Sequence, residues 1–411
     1  MFSIGFSRHR LSAVGMLAWV LTATLGCFVL ANAVVFDRQL GIRIDRGGVL
    51  VRAAVVICLL GLPLVVRRLQ SADLWLAVPL LLFQPLLFAG VLLDATRTYT
   101  WESFAQVLVI AAVFPGAYIM GSVLGSAPFR TVSRANLSLS LPFLLASVPI
   151  ALMASDAVGQ PLWVLRPYAN FPFIFWCLML LAFLNRERSP RLSLVLMTVL
   201  FLWAIVGGAR MAAFAGAIIL VWWPSGQRIV RIGRAFGVTA IAAAVVLAFG
   251  EPRLLEPPWL HSGLARLLSV TQFTRWELWA QAWSAVDNAS VLELLVGRGH
   301  QGLLFFDVAV TDAGTGFYLA HNSFLSAFVY GGVIGVSLLV LFSVRLSWVV
   351  FKRWPDLAVP FVVCLVALVL FADLPFFGPA YGRVVEGIPL AMMFGLLTSR
   401  ASSVNTSQHL N

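Results

Sequence analysis

Apolar residues run along this chain in long blocks rather than in alternation with polar ones. A helix needs about 20 predominantly apolar residues to cross hydrocarbon. On that basis twelve stretches are candidate spans: 11–35, 48–66, 72–93, 103–126, 137–155, 163–184, 192–207, 211–223, 236–250, 322–344, 357–374 and 385–399. Helices are expected because an open sheet in lipid leaves backbone groups unpaired. The roughly ten-residue alternation of a transmembrane barrel is missing. The pattern predicts an all-α, polytopic membrane protein with about 12 transmembrane helices, residues 1–411 forming a single membrane domain. Residues 251–320, between the ninth and tenth spans, form the one long loop. That loop is too rich in Trp, Leu and Phe for a disordered linker and is expected to contain amphipathic helices.

Composition agrees with this class. Hydrophobic residues make up 61% of the chain and charged ones 11%, against about a quarter charged in soluble domains. Charge sets the orientation. Alternate segments holding Arg67–Arg68, Arg130–Arg134, Arg186–Arg191, Arg228–Arg234 and Arg345–Arg353 carry, with Arg8, Arg10 and Arg400, more than half of the 28 Lys and Arg residues. The positive-inside rule then puts these segments and both termini in the cytoplasm. Arg38, Arg43 and Arg46 oppose it in the first hairpin, partly offset by Asp37 and Asp45. The net charge of +11 is accounted for by basic loops, so no nucleic-acid partner is expected. Cys27, Cys58, Cys177 and Cys364 all fall inside candidate spans, which suggests neither a disulfide framework nor a metal cluster. The start imitates a signal peptide, with Arg8 and Arg10, an apolar run and Ala31-Asn32-Ala33. The run exceeds the usual 7–15 residues, so an uncleaved first span is expected.

Candidate chemistry lies among the polar residues of the outer face. In the long loop, Thr274 and Glu277 form a capping-box pattern that starts a helix with Arg275 in its first turn. Trp276, Trp279 and Trp283 share one face of that helix, the arrangement of an interfacial anchor. Arg275 beside a helix N-terminus joins two anion-attracting features; an ion pair with Glu277 is the alternative. The run 192–223 is shorter than the roughly 40 residues an out-and-back hairpin requires. Its tip, Gly207-Gly208-Ala209-Arg210-Met211, would sink below the outer surface. Arg210 would then stand in a depression among small residues, unless it snorkels or pairs with a carboxylate. Arg166 precedes Pro167 and Pro172, which interrupt regular helix around Asn170. His321 opens the tenth span, with Asn322 or Ser323 able to cap it. Imidazole is the side chain suited to take a proton near neutral pH. His261 and His300 in the loop are not excluded by spacing. Gly297-Arg298-Gly299-His300-Gln301-Gly302 satisfies G-x-G-x-x-G, yet no strand–turn–helix unit surrounds it. It is expected to be a flexible, tight-turning backbone.

Three or four guanidiniums and an imidazole, without a carboxylate cluster for a divalent cation, suit a diphosphate whose hydrocarbon tail lies in the bilayer. At these residues the chain resembles the O-antigen ligase and polymerase family. The matching pieces are the Asn170-Phe171-Pro172 turn, the Arg210 hairpin, and the Arg275 helix followed by Gly297, Gly299 and Gly302. The last piece is His321-Asn322-Ser323-Phe324-Leu325, with Gly331, Gly332 and Gly335 in the tenth span. The resemblance is strongest over 160–345. It implies an inverting, metal-independent glycosyltransferase in the bacterial inner membrane, with its site facing the periplasm and no cofactor. The donor would be undecaprenyl-diphosphate-linked O antigen, and the acceptor a sugar hydroxyl of lipid A–core. Arg210 and Arg275 would hold the diphosphate, with Arg166 as a further ligand. His321 would act as general base, with Asn170, Asn322 and His300 as supporting candidates. The family commonly has Ser or Thr before the hairpin arginine; here Ala209 stands there.

Polymerases of the family use the same donor and often show Gly eleven positions after an outer-loop Arg. Val221 and Val286 occupy those positions after Arg210 and Arg275, which favours the ligase. A protein-glycosylating relative is a further alternative. A secondary transporter is the reading from another class; it would favour repeated halves and midplane sites. Neither is visible here.

Overall fold

The computed structural model describes residues 73–92, 113–122, 172–186, 189–206, 210–223, 279, 282–284, 287, 289–299, 322–372, 374–378 and 384–399. Among them the regular structure is helical, with no strand, so the all-α class holds for the described residues. The helices are α1 (Leu74–Leu92), α2 (residues 113–122), α3 (Pro172–Leu184), α4 (Pro190–Val206), α5 (Arg210–Val221), α6 (Val291–Val296), α7 (Ser323–Arg353), α8 (Pro355–Phe371) and α9 (Val384–Thr398). All but α6 fall on apolar runs picked out as candidate spans. The spans expected at 11–35, 48–66, 137–155 and 236–250 lie outside the described residues. Among the described residues one helix, α7, is by itself long and apolar enough to cross a membrane.

Two compact units divide the chain. One takes in Met1–Asp73, Ala117–Val270 and Ile388–Asn411, the other Leu74–Gly116 and Thr271–Gly387. In the first, α3 is enclosed on nearly every side: Phe173 and the run from Phe175 to Phe183 are buried. A helix that is apolar all round is one with no solvated face. Gly216 of α5 lets Phe201 of α4 and Met179 of α3 close in; a Cβ there would stand 2.8 Å from the Phe201 ring. Residues 117–122 and α9 approach until backbones touch. A side chain on Gly121 would strike the Met392 carbonyl, and one on Gly395 the Tyr118 carbonyl. Tyr118 Oη and Thr398 Oγ1 share a 2.8 Å hydrogen bond, and the Ser399 hydroxyl donates to the Ser122 carbonyl at 2.6 Å.

The second unit is built on a hairpin. α7 and α8 are separated by a single residue, Trp354, and Pro355 occupies the first helical position, where its fixed φ suits a helix start. Lys352 and Arg353 lie in the last turn of α7, where cations complement the negative end of the helix dipole. The basic segment at Arg345–Arg353 is therefore helical, and α7 runs nine residues past the expected end at 344. Straight, its 31 residues would reach about 46 Å, against about 26 Å for the 17 of α8, at 1.5 Å per residue. The two ends nevertheless meet. The buried Ser323 hydroxyl donates to the Ala372 carbonyl (2.7 Å) and accepts from the Leu374 amide (2.8 Å). The discrepancy is absorbed at Gly332, whose φ of 61° and ψ of −156° break the helix into two arms.

Around this bend the core is aromatic. Phe83 meets Phe377 edge-on (5.2 Å), Phe114 meets Phe376 (5.0 Å), and Phe342 contacts both. The buried turn at 374–378 would carry an unpaired carbonyl into this cluster, but Gln84 Nε2 donates to Phe376 O at 3.0 Å. In α1, Leu76, Leu80, Phe83 and Leu87 face inward. Its outward face is no more polar: Leu74, Trp75, Val78, Leu81 and Leu82 are exposed there, and α7 likewise exposes Val340, Leu341, Val344, Trp348 and Phe351.

Candidate functional site

The longest described stretch of the 251–320 segment is α6 and the turn that follows it. Ser290 caps the helix: its hydroxyl accepts from the Glu293 amide (3.3 Å), and Glu293 Oε2 accepts from the Ser290 amide (2.7 Å). This reciprocal box satisfies two of the helix's orphan N–H groups. The other oxygen, Glu293 Oε1, lies 3.2 Å from Arg298 Nε. Arg298 is 8% exposed, a burial an arginine tolerates only when its charge is matched. Between the pair, Gly297 ends the helix with φ 74° and ψ −177°, and its N–H bonds to the Glu293 carbonyl (2.8 Å).

This turn is seated against the bend of α7. The Arg298 amide donates to the Val329 carbonyl at 2.9 Å, one turn before Gly332. In a straight helix that carbonyl would serve the amide four residues on. Gly297 and Gly332 cross with no room for side chains. A Cβ on Gly297 would collide with Tyr330 and Gly331 backbone atoms, and one on Gly332 would lie 2.5 Å from Gly297 N and Leu295 O. Both backbones occupy a region open essentially to glycine alone. The segment does turn tightly, as expected, with positive φ at Gly297 and Gly299. At Gly297–Arg298 it is bonded to and in close backbone contact with α7.

The electrostatics favour ionised Glu293. Partial burial opposes the charge, but the Ser290 amide and hydroxyl and the Arg298 guanidinium outweigh it and hold the carboxyl below its ordinary value of 4.5. A depressed folded value means the stabilisation is full above the ordinary carboxylate range and disappears as pH falls through the folded value. In thermal unfolding of the parent and Glu293→Gln, the parent's advantage should therefore shrink on acidification below about pH 4.5. An advantage that does not change with pH would contradict this balance.

Asn322 settles the question of which residue caps α7. Its Oδ1 accepts from the Phe324 and Leu325 amides at 2.9 and 3.0 Å, while Ser323 is turned to Ala372 and Leu374. Of the other expected site residues, Arg210 is the first residue of α5, four positions after Val206 ends α4. Within 190–221 the structure describes two helices of 17 and 12 residues, and the expected tip at 207–209 lies outside the described residues. His321, Arg275, Arg166, Asn170 and His300 lie outside the described residues. Of the Trp stripe, Trp279 is set against Phe371 of α8 with ring centroids 6.3 Å apart, and Trp283 is 53% exposed. Trp276 lies outside the described residues. Among the described residues no group of three or more His, Cys, Asp or Glu side chains is placed to hold a metal ion.

Arg298 and Glu293 were not singled out by sequence reasoning. A signal existed: Ser290-x-x-Glu293 is a capping-box pattern followed by Gly297, which reads as helix start and stop. Compared with protein-family models, curated proteins and solved structures, this chain matches none.

Proposed function

We propose that this chain is an O-antigen ligase of the bacterial inner membrane. It would transfer glycan from undecaprenyl diphosphate to a sugar hydroxyl of lipid A–core on the periplasmic side. The observation that carries the reading is the set Arg166, Arg210, Arg275 and His321, each placed at the outer end of a span or in the outer loop by charge and hydropathy. About twelve spans in one membrane domain belong to the same proposal, and the apolar outward faces of α1 and α7 support a lipid environment.

In this mechanism Arg210 and Arg275 grip the diphosphate as planar forks, and Arg166 adds a third contact. The acceptor oxygen attacks the anomeric carbon from the face opposite the diphosphate, inverting the centre. The bond from that carbon to the phosphate oxygen breaks, and the electron pair leaves with undecaprenyl diphosphate. His321 takes the acceptor's proton, and the guanidiniums offset charge growing on the leaving group. The cap by Asn322 supports this role, because Asn322, the residue after His321, fixes the start of α7 at Ser323.

Arg210→Lys should be nearly as damaging as Arg210→Ala, since a point charge does not replace a bidentate fork. Complementation of a deletion strain measures it; a fully active Lys variant would remove the fork role. Transfer should also survive EDTA, because no carboxylate cluster of the outer face invites magnesium. Activity lost to chelator and restored by Mg²⁺ would overturn the arginine-only account. The function itself is tested by lipopolysaccharide from the deletion strain on a gel. Loss of every O-antigen band, with lipid-linked polymer accumulating, is the expected result. Core plus one repeat would mean polymerase, and an unchanged ladder would reject both.

A further inference from the structure

We infer that Glu293 and Arg298 form a clamp that holds the first arm of α7, Ser323–Gly331 with its cap Asn322, in its bent position and so positions His321, the residue preceding the cap. The inference rests on the proposed function for the role of His321, and on the structure for the clamp. Four observations converge on a short stretch of chain. One carboxylate is divided between the Ser290 amide, through Oε2, and Arg298 Nε, through Oε1. The Arg298 amide donates to the Val329 carbonyl, in the arm itself. Gly297 and Gly332 lie backbone to backbone at the bend. At the far end of the arm, Asn322 caps the first turn and Ser323 ties it to Ala372 and Leu374. The arm is thus fastened at both ends, by α6 at the bend and by the end of α8 at the cap.

Arg298 is an arginine of the outer loop, and composition alone would group it with the diphosphate ligands. Its burial and its engagement with Glu293 assign it differently. A buried guanidinium paired with a carboxylate, on a residue whose amide is bonded to α7, acts on the chemistry through the helix arm. Arg298 and Glu293 are therefore positioning residues. Small displacements of a reacting group cost large factors in rate, of order a hundredfold for about 1 Å.

The test uses full-length protein in lipid nanodiscs and two variants that spare the local fold. Glu293→Gln keeps a residue able to complete the capping box while removing the charge opposite Arg298. Arg298→Met removes the guanidinium but keeps the backbone bond to Val329. Amide hydrogen exchange over 323–331 reads the clamp without reference to activity, and kcat and donor KM read the positioning. The expected result is faster exchange across 323–331 in both variants. kcat should fall about tenfold or more while donor KM is unchanged, and the double variant should be little worse than either single one. Arg298→Lys, which keeps a cation near Glu293, should recover part of kcat. Unchanged exchange in 323–331 overturns the clamp. A raised donor KM in Arg298→Met makes Arg298 a diphosphate ligand and overturns the assignment, as does a lower folded yield with parental kcat per folded molecule. A parent that transfers no glycan, with exchange altered in the variants, rejects the proposed function and leaves the clamp standing.

Discussion

Replacing His321 with Ala should abolish transfer while leaving donor binding largely intact. Loss of a general base costs about 10²–10⁴ in rate, whereas the diphosphate is assigned to Arg210 and Arg275. The two effects can be separated by measuring turnover and donor affinity on the same preparation. The rate of the parent should fall on the acidic side as the imidazole becomes charged. His321→Gln distinguishes chemistry from packing. Glutamine can fill much of the space and hydrogen-bond, but it cannot accept a proton near neutral pH. A Gln variant with near-parental turnover would remove His321 as the base and bring His300 forward.

Gly332→Ala should unfold the region around α6 and the first arm of α7. The residue's φ of 61° with ψ of −156° is strained for any L side chain, at roughly 1–3 kcal/mol. The added Cβ would also stand 2.5 Å from Gly297 N and Leu295 O, backbone atoms that cannot rotate aside. Strain and collision together should exceed the strain alone. Gly116→Ala is the matched control: it lies in a helix, and a Cβ there meets nothing within 4 Å. It should be neutral or slightly stabilising, as alanine favours helix over glycine by up to about 1 kcal/mol. Thermal unfolding of both variants in one detergent gives the comparison, and equal behaviour would contradict the crossing described for Gly297 and Gly332.

Much of the helical frame was legible because apolar runs are local signals. Helices α1, α4, α5 and α9 fall on runs that hydropathy picks out. The length of α7 was not. Arg345, Lys352 and Arg353 mark its end as a basic segment beyond the span, yet that end is helical, with Leu346, Val349 and Val350 buried. The bend was hidden for another reason. Gly331 and Gly332 were visible as a pair, but the partner that requires them, Gly297, is 35 positions away, and no periodicity connects such residues. The cap of α7 was open between Asn322 and Ser323 because both residue types cap helices. The choice is made by Ala372 and Leu374, which engage the Ser323 hydroxyl from the far end of α8. The pairing of Arg298 with Glu293 was not legible, since a five-residue separation is not a helical pairing distance. The pair forms only because Gly297 turns the chain back.

The central claim, glycan transfer from a lipid diphosphate to lipid A–core without a metal, is tested most directly by reconstitution. Purified full-length protein, undecaprenyl-diphosphate-linked glycan and lipid A–core are combined in detergent with EDTA, and glycan on the core is measured over time. The account predicts glycan-bearing lipid A–core, with undecaprenyl diphosphate released in equal amount. No product on lipid A–core, with longer glycan formed when a second lipid-linked glycan is supplied, would contradict it.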